Sequence, residues 1–556
     1  MISTNMKKFI KYICLITMLF GSVSCSDFLT VDPEDSLTTG NYYNSEERIR
    51  ANTATLYASV WWDFHAQFMW LAGDQMAGDL YYTYDQEGQF FYFSYNNGNT
   101  YITNGWKGLF RVVSFANSVI NDMPKATSNV SQSIVDAAVA EGKFVRAVAY
   151  YYLTEYWGEV PIIENSTDMI VSGNMFVPRN TRKSCYEFMI RDLEYAAKYL
   201  PTEDSQKGRV TKWAAEAMLA KVHLTYAAAA AGNSGTYGDA ATHFAKAKEL
   251  CQNVIEKSGR TLDGDYSNLF TWEGNNNSES LFAIQCRTGA YGGGSSRNVN
   301  FSRSSVIADQ TWGAGKGPTL DLQKAFDQQK DKRRVWTYMK QGDYYSMLNK
   351  AGGGYHYKNY VEADNENPNE VLAHIKKYVI GKAADTDNHV GLNQDAANNI
   401  HVIRLADVYL MYGEAVLGTG ASTSDAKAIE YFNAVHADRA GLTPATSLTF
   451  ESILKERRLE FAFEALRWLD IKRYYYRNPV AALELLNNQK RELIYVLKNG
   501  ISSVEDRNNN DNYQEHVPEA GFVKVYDSQM FLPIPAEALT GNPLFKDPAV
   551  DYTFND

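Results

Sequence analysis

The chain predicts an all-α fold, a tetratricopeptide-like helical repeat scaffold with a loop-rich, irregular second half that carries the ligand site. Three observations predict it. Between about Asn104 and Leu250, apolar residues recur at helical spacing in segment after segment, with short polar breaks between them. Ala140, Phe144 and Ala147 form the A-x3-F-x2-A pattern of a tetratricopeptide second helix, where small residues let neighbouring helices approach closely. The same pairing returns far along the chain: Tyr409, Tyr412, Gly413 and Val416 read as a first helix, and Ala428, Phe432 and Val435 as its partner. Two separated stretches are therefore expected to build one scaffold.

Taken in order, residues 1–25 read as a leader that ends in a lipidated thiol. Lys7, Lys8 and Lys11 give the positive start, Ile10 to Phe20 the apolar stretch, and Gly21-Ser22-Val23-Ser24-Cys25 the small residues up to the cysteine. Ser22 stands where such leaders usually carry leucine. The apolar run is too short for a membrane-spanning helix and contains a lysine. Acylation of Cys25 attaches the protein instead, each buried methylene contributing roughly 0.8 kcal/mol.

The mature chain divides by pattern into a helical repeat region, 26–255, and a second region, 256–556, with long loops and further repeat helices. At 556 residues it exceeds what one compact core usually holds, so lobes or an extended array are expected. Asp79 to Gly105 reads as a loop dense in Tyr, Phe, Asn and Gly, preceding the helix opened by Trp106. Trp106 and Trp157 sit within helix patterns and read as core. The Lys212–Tyr226 segment repeats the helical register through Ala215, Leu219 and Val222. From about Ser258 to Asn399, Gly289 to Gly294, Gly313 to Pro318, Gly352 to Gly354 and an Asp-Asn-Glu-Asn run mark long loops, which in compact proteins commonly bind something. Ile453 to Arg473 reads as one strong helix, with Leu459, Phe463, Leu466 and Leu469 on one face. Its Lys455-Glu456-Arg457-Arg458 turn reads as structural ion pairs.

Charge and special residues narrow the function. The net charge is −11, and removal of the leader's three lysines takes it to −14, which disfavours nucleic acid and anionic lipid as partners. Of five cysteines, Cys185, Cys251 and Cys286 remain after the leader and its thiol are set aside, and with no C-x-x-C pair they read as small buried apolar side chains. Catalytic patterns are missing: there is no H-E-x-x-H or G-x-S-x-G, no marked carboxylate pair, and Gly313-Ala314-Gly315-Lys316-Gly317 lacks P-loop spacing. No enzyme activity, cofactor or metal site is expected. Asp263 with Asp265, and Asp506 to Asp511, are oxygen-rich loops without the Gly and terminal Glu of a calcium loop, which leave room for one structural calcium.

The composition instead points to a wet aromatic surface, with 38 Tyr, 26 Phe and 10 Trp. A sugar's axial hydrogens stack on flat rings while its hydroxyls need amide or charged partners, so rings and amides should alternate. Two loops do this. The first offers Tyr81, Tyr82, Tyr84, Phe90, Phe91, Tyr92, Tyr95, Asn96, Asn97 and Tyr101, and the second Tyr291, Arg297, Asn298, Phe301 and Trp312. The candidate ligand-binding residues are Trp312, Tyr291, Tyr92, Tyr95, Asn97, Tyr101, Arg297 and Asn298. Phe90-Phe91-Tyr92-Phe93 also fits a hairpin packed on the helices.

Ordered motifs give the chain a family likeness. They are Cys25-Ser26-Asp27-Phe28-Leu29 at the anchor, Trp106 to Asn117, Phe144 to Pro161, Pro318-Thr319-Leu320-Asp321-Leu322, Ile403 to Leu410, Glu456 to Phe461, and Phe531-Leu532-Pro533-Ile534-Pro535. In this series the chain resembles the SusD/RagB family of surface lipoproteins, nearly end to end. The resemblance implies a mostly helical fold and a non-enzymatic role: capturing glycan at the exterior face of the cell outer membrane for a SusC-like TonB-dependent transporter. Its motifs mark scaffold, since ligands in this family are held by variable loops. A peptide-binding importer of the same fold and a repeat scaffold that binds only proteins are the alternatives. The negative charge favours neutral glycans, although Arg297 and Arg303 supply local positive charge.

Overall fold

The computed structural model describes residues 42–289, 291–361 and 368–554. The leader with Cys25, and the Asp-Asn-Glu-Asn run at 364–367, lie outside the described residues. The described residues hold twelve α-helices of eight residues or more: α1 (Glu46–Thr53), α2 (Asp85–Tyr92), α3 (Thr100–Asn117), α4 (Gln132–Trp157), α5 (Arg182–Tyr199), α6 (Lys212–Gly232), α7 (Ala240–Lys257), α8 (Leu405–Leu417), α9 (Ala426–Asn433), α10 (Phe450–Glu460), α11 (Arg467–Arg477) and α12 (Pro479–Asn488).

Local chemistry sets the helix ends. Asn99 caps α3 by accepting from the Tyr101 and Ile102 N–H groups, Thr181 caps α5, and Asp239 caps α7, each satisfying donors that the first turn leaves free. α4 runs 26 residues and stops at Gly158, whose φ of 80° suits a residue without a Cβ. Its Ala140, Phe144, Ala147, Val148 and Tyr151 are all buried, as the spacing predicts.

Successive helices lie side by side from α3 through α4, α5, α6 and α7, and α7 then packs on α8, which pairs with α9. The two helical stretches thus meet at α7 and α8, and one continuous apolar core runs through both. α6 also packs on α11, where Gly232 leaves no room for a side chain: a Cβ there would lie 1.8 Å from the Tyr476 carbonyl oxygen. Trp106 and Trp157 are buried in this core with rings 5.4 Å apart. Cys185 and Cys251 are buried free thiols, while Cys286 is half-buried.

The fold is helix-rich, 51% helical with 8% strand, so the all-α expectation needs one amendment. Among the described residues, ten short strands form two-stranded antiparallel ladders: β1 (Leu80–Tyr81) with β3 (Gly317–Pro318), β2 (Ser280–Ile284) with β8 (Ile400–Arg404), β4 (Tyr338–Lys340) with β7 (Ala373–Ile375), β5 (Tyr344–Tyr345) with β6 (Tyr355–His356), and β9 (Ile494–Leu497) with β10 (Tyr513–His516). The wholly buried ladders, β1 with β3, β2 with β8 and most of β4 with β7, pair backbone groups that the loops would otherwise bury unsatisfied.

Two further expectations change. The stretch 79–105 is not a loop throughout, because α2 occupies Asp85–Tyr92 and ends with Phe93 in the left-handed region at φ 52°. Phe90, Phe91 and Phe93 are buried there, so this aromatic run is the inner face of a helix end and not a hairpin. The segment 453–473 is two helices, broken where Phe463 and Ala465 take φ of 64° and 63°. The break buys a close contact: a Cβ on Gly73 would lie 2.5 Å from Ala465, and the Asp74 carboxylate accepts from the Ala465 N–H at 3.1 Å.

The break also aims Glu460 and Glu464 inward. Arg404 lies 2.7 Å from Glu460, 2.8 Å from Glu464 and 2.6 Å from Glu279, and Arg333 lies 2.6 Å from Glu456 and 2.8 Å from Glu460. Arg457 binds Asp407 and Asp470, and Arg458 binds Asp79 and Asp321. The charged turn is therefore a set of buried ion pairs, and removing one partner would cost about 3–5 kcal/mol.

Candidate functional site

The ladder of β1 with β3 decides which loops meet. It ties Leu80 to Pro318 and Tyr81 to Gly317, which sets Tyr82 and Tyr84 beside the glycine-rich turn that ends at Lys316. A Cβ on Gly315 would lie 3.2 Å from the Tyr82 ring. Trp312 is held just upstream, its N–H donating to the Val299 carbonyl at 2.8 Å, and Gly313 N–H donates to Ser302 at 2.9 Å.

Lys316 ties these pieces together from below. Its Nζ lies 4.5 Å from the centre of the Tyr82 ring and 5.1 Å from that of Trp70. It donates to the Trp312 carbonyl and to Asn300 Oδ1, both at 3.3 Å, and pairs with Glu87 at 3.3 Å. Glu87 accepts in turn from Gln67 Nε2 and the Tyr101 hydroxyl, each at 3.2 Å. Burial lowers the Lys316 pKa while Glu87 opposes that shift, and burial with the nearby Glu87 pushes Tyr82 up to about 12.

Exposed rings stand on the segments that this buried cluster fastens. Tyr84 is 72% exposed, Tyr291 69% and Trp312 47%. Tyr291 leans on Trp62, ring centres 5.0 Å apart, and Trp62 opens the short helix Trp62–His65 that leads to Gln67 and so to Glu87. A row of rings with amide and charged groups between them can stack on the apolar faces of sugars and bind their hydroxyls.

The eight candidate residues separate in the fold. Trp312, Tyr291 and Tyr101 belong to this face or its support. Tyr92 is 41% exposed, packs on Phe91, and has its pKa raised by burial and then by Glu492 and Glu370, which places it on the other flank of α2. Tyr95 donates its hydroxyl to the Gln529 carbonyl at 3.2 Å, and the Asn97 carbonyl accepts from Ala536 N–H at 2.9 Å, so both fasten the C-terminal segment.

Arg297 and Asn298 correct the expectation, since they are 0% and 1% exposed. Arg297 donates to the Phe463 carbonyl at 3.3 Å with its guanidinium 4.4 Å from the Tyr378 ring centre. Asn298 accepts from Ile380 N–H at 2.9 Å and donates to the Gly381 carbonyl at 3.1 Å. Both brace the loop from inside. Sequence reasoning missed Trp62, Gln67, Glu87 and Lys316. The one signal for Lys316 was a lysine set in glycines between Trp312 and the Pro318 motif.

Comparison with known proteins decides the family. Residues 278–547 match the model of the SusD family, and residues 27–224 match a model described as starch-binding associating with outer membrane. A SusD-like protein of Bacteroides ovatus is 31% identical over 99% of this chain and 99% of its own length. The chain belongs to the SusD family.

A SusD-like protein of Formosa agariphila is 26% identical, covering 85% of this chain and 92% of that one. Among solved structures, one determined with xylogluco-oligosaccharide superposes with a TM-score of 0.80 at 31% identity, covering 91% of this chain and 100% of its own. A SusD-like protein from Bacteroides fragilis shares the fold at 20% identity and TM-score 0.70, covering 91% and 97%. Family-motif residues are buried in the scaffold: Arg404 and Asp407 lie in the ion-pair network, and Trp157 Nε1 donates to the Pro533 carbonyl at 3.1 Å.

Among the described residues, no helix is long and apolar enough to cross a membrane, and no group of three or more His, Cys, Asp or Glu is placed to hold a metal ion. The Asp263 and Asp265 carboxylates accept from Asp265 N–H, Asn268 Nδ2 and Ser267 N–H at 3.0, 2.8 and 2.9 Å.

Proposed function

We propose that this SusD-family chain captures a neutral oligosaccharide on the face formed by Tyr84, Trp312 and Tyr291, without cleaving it, and passes it to a SusC-like TonB-dependent transporter. The observation that carries the reading is that exposed rings stand on segments fastened to the buried Lys316–Glu87 cluster: Tyr84 beside Tyr82, Trp312 through its carbonyl, and Tyr291 on Trp62. Each ring covered by a sugar removes about 100 Å² of apolar surface from water, on the order of 2.5 kcal/mol before ordering costs, so a few rings give modest affinity.

The relative solved with xylogluco-oligosaccharide and the net charge both support a neutral ligand. Acylation at Cys25 holds the protein on the outer face of the outer membrane, and the side-by-side helices serve as a tetratricopeptide-like scaffold against which the transporter docks.

Affinity electrophoresis of the purified protein in gels containing xyloglucan or laminarin tests the reading. Retardation by a neutral polysaccharide that is lost in the Trp312→Ala, Tyr291→Ala double variant is expected. Equal retardation of wild type and double variant removes the site assignment, and no retardation by any glycan beside clear binding of peptides favours a peptide importer.

A further inference from the structure

We propose that the cavity between the start of α6 and β2 binds an oxyanion, a carboxylate or sulfate carried by a small molecule, independently of the aromatic face. The cavity measures about 280 Å³, and Lys207, Thr211, Trp213, Ser258, Arg260 and Asn276 are among its lining residues.

Arg260 is the deciding group. It donates through Nη1 to the Ser280 carbonyl at 2.5 Å, and among the described residues no carboxylate pairs with it. Its pKa is lowered by burial with no opposing charge. Several wholly buried arginines differ. Arg333, Arg404, Arg457 and Arg473 each face a carboxylate within 2.9 Å, and Arg491, which has none, is spent on the Gln75, Met76 and Phe91 carbonyls. Arg260 has one carbonyl partner and a cavity in front of it. A half-desolvated guanidinium with donors in fork geometry matches a carboxylate or sulfate.

A second, independent observation lies across the cavity. Thr211 is the N-cap residue of the 21-residue α6, yet its side chain makes no capping bond. The residue is 4% exposed and its Oγ1 has no partner. An unspent hydroxyl at the positive end of a long helix favours an incoming acceptor. Lys207 adds an exposed positive charge at the rim, and the Trp213 ring gives an apolar wall for a carbon skeleton. The acidic neighbours do not fill the role: Asp204 is held by Arg50 at 2.6 Å, and Glu203 is exposed and leaves the Arg260 pKa unmoved.

Calorimetric titration of the detergent-solubilised protein with sodium glucuronate, sodium sulfate and glucose at matched ionic strength tests the site. Saturable binding of glucuronate without glucose assigns a sugar acid, and saturable sulfate alone assigns an inorganic oxyanion. In either case Arg260→Met should weaken binding tenfold or more, and Lys207→Ala, an exposed change that leaves folding intact, severalfold. Binding that survives both substitutions, or no saturable binding of either anion by wild type, overturns the proposal. Retardation in polysaccharide gels should be unchanged in both variants.

Discussion

Lys316 Nζ stands 3.3 Å from the Glu87 carboxylate and 4.5 Å from the centre of the Tyr82 ring, at 2% side-chain exposure, so a buried charge pair underlies the exposed aromatic face. The pair ties together segments that are more than two hundred residues apart in sequence and that carry exposed rings. Replacing Lys316 by Met leaves Glu87 with Gln67 and Tyr101 as its side-chain donors among the described residues and frees the Trp312 carbonyl. We expect a loss of about 3 kcal/mol in urea unfolding, partly restored by adding Glu87→Gln. A loss confined to glycan binding, with unchanged stability, would show that the pair is not structural.

The exposed rings should behave in the opposite way. Trp312→Ala and Tyr291→Ala each remove a ring that is 47% or 69% exposed, so stability should change by less than about 0.5 kcal/mol. Glycan affinity should fall about tenfold per ring, the remainder of the apolar gain after ordering costs. Paired thermal melts and affinity gels separate the two effects.

Asp74 makes stability depend on pH. Burial raises its pKa from 3.8 to about 8, with Arg297 only partly opposing. A raised carboxyl keeps its proton in the folded state after the unfolded chain has lost it, so its contribution is full below 3.8 and fades as pH rises to about 8. Asp74→Asn should therefore gain on wild type between pH 5 and pH 8.5, read as a rising difference in urea midpoint. Glu464 works from the acid side: burial pushes its pKa up, but Arg404 and Lys377 together outweigh that and lower it to about 2, so its stabilisation is lost as pH falls from 4.5 toward 2.

Gly73→Ala tests the break between α10 and α11. A methyl group there meets the Ala465 backbone at 2.5 Å, and overpacking of this kind costs roughly 1–3 kcal/mol. Chemical denaturation should show it, and Ala465→Gly in the same chain should recover part of the loss.

Cys25→Ser tests the anchor. With the thiol gone, metabolic labelling with palmitate should give no signal on the protein, which should move from the membrane fraction to the soluble one, since no acyl methylenes remain to hold it. Retention of both label and membrane fraction would place the lipid elsewhere.

Much of the scaffold was legible in the sequence because helical periodicity is local: Ala140, Phe144 and Ala147 sit on one buried face of α4, and Glu456, Arg457 and Arg458 of the charged turn form ion pairs, while Lys455 is exposed. The face was legible only in part. Trp312 and Tyr291 are exposed rings, but Arg297, chosen for its charge, is wholly buried, and nothing in a residue's type says which side of a loop it takes. Glu87 looked like one acid among many until Lys316 faced it.

By itself, then, the chain determined the helices of the repeat scaffold, its buried small-residue seams and its family motifs, because each rests on residues a few positions apart. Tertiary structure alone decided which rings share a face, that 453–473 breaks at Phe463, and that Lys316 meets Glu87. Those outcomes depend on β1 pairing with β3 and on α7 meeting α8, contacts between distant segments whose geometry no short-range spacing encodes.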